Sequence, residues 1–163
     1  MLEKQSISNI KKELAHLAAP DLSRIILRLA KFKKINKELT HYLLFEAHDE
    51  ESFIEKVKNL IAERFNDTPK NSSYLATKQI RKTLRLTNQY AGYSDLVQTE
   101  IELLIYFCTQ TKPFVTLYKN QTVLSNLYVR QIQKIKKLIS KLHEDLQYDY
   151  DMKITNYELK ITN

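Results

Sequence analysis

The sequence predicts an all-α protein with no sheet: six or seven mostly antiparallel helices, arranged as a compact bundle or as a short HEAT- or armadillo-like stack of helical pairs. Three observations carry this. Apolar residues recur at i, i+3, i+4 and i+7 in nearly every window, the period of a helix with one buried face. One glycine and three prolines in 163 residues are too few for the tight turns and bulges of an all-β or doubly wound fold. A content of 43% hydrophobic and 28% charged residues is that of an ordinary globular chain, at a length that fills one domain.

The elements follow in order. Ile7, Ile10, Leu14 and Leu17 make a first stripe that ends near Pro20, a residue suited to the first turn of a new helix. That first helix also carries Lys4, Lys11 and Lys12, but its four apolar positions are only enough to dock on a core rather than on a membrane surface. Leu22, Ile25, Ile26 and Leu29 make a second stripe, and Ile35, Leu39, Tyr42 and Leu43 a third. No glycine or proline separates these two, so residues 21–47 read as either one helix or two.

Over residues 50–65 the rhythm is clearest, in Phe53, Ile54, Val57, Leu60, Ile61 and Phe65. Asp49 is placed to cap this helix, and Glu50 and Glu51 suit its first turn. The polar run 66–73 breaks the pattern and is the best internal boundary. A helix over 73–91 stops at Gly92, where a left-handed cap is expected. Ser94 and Asp95 start the next, which carries Val97, Ile101, Leu104, Ile105 and Cys108 inward. Residues 112–120 hold the third proline and read as a loop. Leu124, Leu127, Ile132, Ile135, Leu138, Leu142 and Leu146 then describe a final helix of about 25 residues.

Residues 1–150 are therefore expected to form a single helical domain. Residues 151–163 are read as a low-complexity tail, because the heptad Lys153-Ile-Thr-Asn-Tyr-Glu-Leu begins again at Lys160-Ile-Thr-Asn and stops.

Several chemistries are excluded on composition. Gly92 stands alone, so neither a phosphate-cradling loop nor a dinucleotide fingerprint is available, and no cofactor is expected. The single Cys108 sits in an apolar run, where a reduced thiol behaves as a small hydrophobe; a cytoplasmic setting is expected, and no apolar run approaches a membrane span, so no membrane insertion. His41 and His48 lie seven apart, about 10 Å along a helix, too far to share one metal ion. Glu100 and Glu102 point to different faces, and the set His143, Glu144 and Asp145 falls at an exposed helix end. No catalytic or metal-binding set is expected, and the chain reads as non-enzymatic.

Charge is the ordered feature. The net charge is +7, and the excess belongs to residues 71–144, which hold 11 Lys/Arg against 4 Asp/Glu. Lys78, Arg81, Lys82 and Arg85 share one helix face, as do Arg130, Lys134, Lys137 and Lys141, with Arg24, Arg28 and Lys31 forming a shorter stripe. Within each helix such like charges repel by a few tenths of a kcal/mol per pair. Two functions fit: a scaffold that binds another protein, or a surface that follows a nucleic-acid phosphate backbone, with Tyr74, Tyr90, Tyr93 and Tyr128 near enough to stack on bases. The second requires that the stripes at 78–85 and 130–141 face the same side.

Overall fold

A computed structural model of the chain describes residues 5–155. They form eight α-helices: α1 Ile7–Ala15, α2 Ala19–Phe32, α3 Lys34–His41, α4 Glu50–Asn66, α5 Ser73–Ala91, α6 Val97–Leu117, α7 Thr122–Ile139 and α8 Glu144–Thr155. A π-helical turn, Tyr42–Glu46, follows α3 directly. The fold is all-α, with no strand among the described residues. The chain divides into two compact units, Met1–Glu46 and Ala47–Asn163. The polar run after α4 is a six-residue connection, 67–72, inside the second unit.

The first unit is a series of short amphipathic helices. Ser6 caps α1 by accepting the Asn9 amide at 3.2 Å. Pro20 lies in the first turn of α2, where its missing N–H is no loss. The choice between one helix and two over 21–47 resolves as two and a turn. Lys33 is extended, at φ −143° and ψ 148°, and Asn36 Nδ2 donates to the Leu29 carbonyl at 2.9 Å across the break. Among the described residues of this unit only Tyr42 is buried. Along the α1 stripe Ile7 is 81% exposed, whereas Ile10, Leu14 and Leu17 are 37–44% exposed.

The second unit is built on α6. Ile101, Leu103, Leu104, Phe107 and Cys108 are wholly buried, so this helix is apolar on nearly every side and must be covered on every side. It touches α4, α5 and α7. Tyr118 Oη at the end of α6 donates to the Lys70 carbonyl before α5, at 2.7 Å. Successive helices are thus antiparallel, and α4–α5 and α6–α7 stack as two helical pairs. Phe65 of α4 meets Phe107 and Phe114 of α6, with ring centroids at 5.6 and 5.9 Å. Asp49 caps α4 as expected, accepting the Ser52 amide at 3.1 Å.

Three local expectations are corrected. Residues 112–120 are not a loop, because α6 continues through Pro113 to Leu117. A mid-helix proline costs about 3 kcal/mol, and burial of Phe114 and Val115 offsets it at about 1.5–3 kcal/mol each. Gly92 is right-handed, at φ −75°, and closes α5 without the left-handed cap. The final helix stops at Ile139: the Ser140 hydroxyl donates to the Lys137 carbonyl at 2.9 Å, and the chain turns before α8.

α8 runs across position 150 to Thr155. Ile154 is 2% exposed, and Lys153 Nζ reaches Glu102 Oε1 of α6 at 2.9 Å, so this part of the heptad is packed structure. The remainder, 156–163, lies outside the described residues. Ile154→Ala should lower stability by about 2 kcal/mol and the melting midpoint by roughly 4–8 °C; a calorimetric trace identical to wild type would show that α8 does not pack here.

Two buried acids set an alkaline limit. Burial pushes the Cys108 thiol from its ordinary 9.0 up to about 12. Burial, then the charge and hydrogen bond of Glu102 and the charge of Asp149, push Tyr150 from 10.0 to about 12. Both neutral forms are favoured in the fold, so their contribution is complete below about pH 9 and is lost as pH rises toward 12. The melting midpoint should be flat between pH 7 and 9 and then fall, with the earlier part of the fall reduced in Cys108→Ala. A midpoint independent of pH up to 11 would contradict this.

Candidate nucleic-acid interface

Because α5 and α7 each pack antiparallel to α6, they run parallel to one another. Their starts are joined by Gln121 Nε2 donating to Ser73 Oγ at 2.8 Å. Toward their ends, Lys134 Nζ donates to Asn88 Oδ1 at 2.9 Å. Between these ties the helices leave an open groove. One stretch, of about 360 Å³, is lined by Tyr74, Thr77, Lys78, Arg81, Arg85, Gln121 and Val123. It continues past Arg81 and Val123 into a second stretch of about 370 Å³, lined also by Leu84, Asn126, Leu127, Arg130 and Gln131.

The groove sorts the eight expected residues. Lys78, Arg81 and Arg85 from α5 converge with Arg130 from α7. Among the described residues none of these four has a carboxylate within 4 Å, and no carboxylate lines either stretch. Lys134 faces a different concavity, with Asn88, Asp95 and Glu100, and pairs with Glu100 Oε1 at 2.7 Å. Lys82, Lys137 and Lys141 are exposed but do not line the groove. The two stripes thus share a side at Arg81 and Arg130 and diverge beyond.

The tyrosines divide too. Tyr74 is 70% exposed at the groove's start. Tyr93 and Tyr128 are buried, and Tyr90 packs against Phe53 and Tyr93, at 6.4 and 5.4 Å between centroids. Three of the four expected stacking residues therefore belong to the core. Of the shorter stripe, Arg24 pairs with Asp21. The groove also gains members that charge spacing did not suggest: the amides Gln121, Asn126 and Gln131, and an apolar floor from Leu84, Leu127 and Val123.

Electrostatically the groove is one-signed. Parallel α5 and α7 present their positive dipole ends together at the Tyr74–Gln121 end, which adds to the field of the four cations. An arrangement of spaced guanidinium and ammonium groups, side amides and a shallow apolar floor suits an extended polyanion better than a compact one.

The other titratable groups hold the fold. Glu102 is met by Lys58 at 3.8 Å and by Lys153 at 2.9 Å. Glu50 Oε1 accepts the Thr99 hydroxyl at 2.5 Å. His41 packs tilted against Phe45, ring centroids 5.1 Å apart, and lies 3.5 Å from Glu46. Among the described residues no group of three or more His, Cys, Asp or Glu could hold a metal ion, and no helix is long and apolar enough to cross a membrane. No known protein family, curated protein or solved structure matches this chain.

Proposed function

We propose that this chain is a non-enzymatic helical binding module that holds a nucleic-acid phosphate backbone along the groove between α5 and α7. The observation that carries the reading is that Lys78, Arg81, Arg85 and Arg130, from two helices, line one groove that no carboxylate of the described residues enters. Four cations held together without partners raise the energy of the free protein; a polyanion relieves this and releases its own counterions. Tyr74, exposed at the groove's start, supplies a face on which a base can stack, and the amides of Asn126 and Gln131 can donate to phosphate or sugar oxygens. Nothing in the groove has the rigid, paired geometry of base-edge readout, so binding is expected to be sequence-tolerant.

A protein-binding scaffold is the second reading. It is favoured by a separate observation, the incompletely covered apolar faces of α1, α2 and α3, none of which contains a buried residue among those described.

Titration of fluorescent mixed-sequence DNA and RNA across a salt series tests the first reading. With about four phosphate contacts, affinity should fall by about 100-fold between 50 and 200 mM salt. Arg81→Ala combined with Arg130→Ala should weaken binding about tenfold or more and reduce the log–log salt slope by about 2. Lys82→Ala with Lys141→Ala removes the same charge outside the groove and should have a much smaller effect. Absence of binding at 50 mM salt, or equal losses in the two double variants, would overturn the assignment.

A further inference from the structure

Among its described residues the first unit leaves a surplus of apolar surface only partly covered. Thirteen large apolar side chains between Ile7 and Phe45 are 37–81% exposed. Spread over α1, α2, α3 and the turn that follows, they offer on the order of 800 Å² per chain, about the share each partner contributes to a standard stable interface. Helices of 9, 14 and 8 residues are also too short to hold in water by propensity alone; they need a covered face.

α2 has the clearest pattern. Leu22, Ile25, Ile26 and Leu29 repeat at i, i+3, i+4 and i+7, while Arg24 and Lys31 lie on the opposite arc and Arg28 lies at the stripe's edge. An uncharged, branched aliphatic stripe is self-complementary, and charge at its edge selects an orientation. Asp21 and Arg28 border the same side of the stripe. In a parallel pair Arg28 would meet Lys33 of the other copy, like against like. In an antiparallel pair with Leu22 opposite Leu29, Asp21 comes within two residues of Arg28 of the other copy.

We propose that the apolar face of α2 docks against a second copy of this chain, the two α2 helices pairing antiparallel about a two-fold axis. The inference is independent of the groove and specifies the partner for the protein-binding reading. The pairing brings the exposed aliphatic stripes of both copies into one seam, with α1 and α3 of each copy adding their apolar faces at its ends.

Light scattering behind size exclusion, on the full chain from 1 to 100 μM, tests it. The expected mass is about twice the 19.3 kDa of the chain. Ile25→Glu with Leu29→Glu should return it to the single-chain mass while Cys108 stays shielded from a thiol reagent, which shows that the second unit remains folded. Orientation is read by disulfide cross-linking: Leu22→Cys and Leu29→Cys should link when the two variants are mixed, and each alone should link poorly. A monomeric wild type overturns the proposal, whether or not it binds anionic vesicles or another protein. So does a double variant that stays dimeric, or single-cysteine variants that link efficiently to themselves. Arg81→Ala with Arg130→Ala should remain dimeric, so loss of nucleic-acid binding and loss of dimerisation are separable outcomes.

Discussion

Burial of α6 is the constraint on which the second unit depends. Five of its side chains between Ile101 and Cys108 have no solvent exposure, so no single neighbour can satisfy it. Covering it takes α4, α5 and α7 together. Short connections allow that only if consecutive helices alternate in direction, which makes α5 and α7 parallel. The groove is therefore a by-product of covering α6: two helices that rest on a common third are held side by side without fully closing on each other, and their outward faces run in the same direction.

The polar residues of α6 then set how its neighbours sit. Glu100 and Glu102, two apart, project to different sides, as their spacing requires. Glu100 draws Lys134 of α7, and Glu102 draws Lys58 of α4 and Lys153 of α8. Each pair is partly solvated and contributes at most about 1 kcal/mol, so these contacts direct register more than they stabilise. They also explain why Lys134 is missing from the groove: its charge is committed to α6. Among the described residues, buried threonines complete the interior without leaving a buried side-chain polar atom unpaired. Thr87 and Thr111 donate to the Thr83 and Phe107 carbonyls at 2.9 and 2.8 Å, one turn back in their own helices, so a hydroxyl can sit in the core with its bond made locally.

The helical class and most of the elements were legible because the signal is periodicity, which is local. Asp49 and the stripe from Phe53 to Phe65 appear where their spacing places them. What was not legible depended on tertiary balance. Pro113 breaks a helix in isolation, and only the burial of Phe114 and Val115 keeps α6 intact across it. The stop at Ile139 has no glycine or proline to announce it. Ile154 looked like part of a repeat rather than of a core because its heptad is polar around it. In the groove, the face shared by Lys78, Arg81 and Arg85 was readable from spacing, which also put Lys82 on it although Lys82 does not line the groove. The alignment of Arg130 with them was not, since it follows from the path of α6 between the two helices. Tyr90, Tyr93 and Tyr128 match Tyr74 in residue type, and only packing separates core rings from the exposed one.

The two proposed faces answer oppositely to solution conditions, and this separates them physically. The groove in the second unit holds charge without apolar depth; added salt screens its attraction over about 8–10 Å and removes the gain from counterion release. The stripe on α2 holds apolar area with Arg24 and Lys31 on the far arc, and salts excluded from protein surfaces strengthen the burial it seeks. Low ionic strength thus favours occupation of the groove and adds repulsion among the Arg24, Arg28 and Lys31 stripes of paired copies, whereas high ionic strength empties the groove and tightens the pairing. A chain that concentrated both properties on one surface would trade one against the other. Here they sit on different helices of different units.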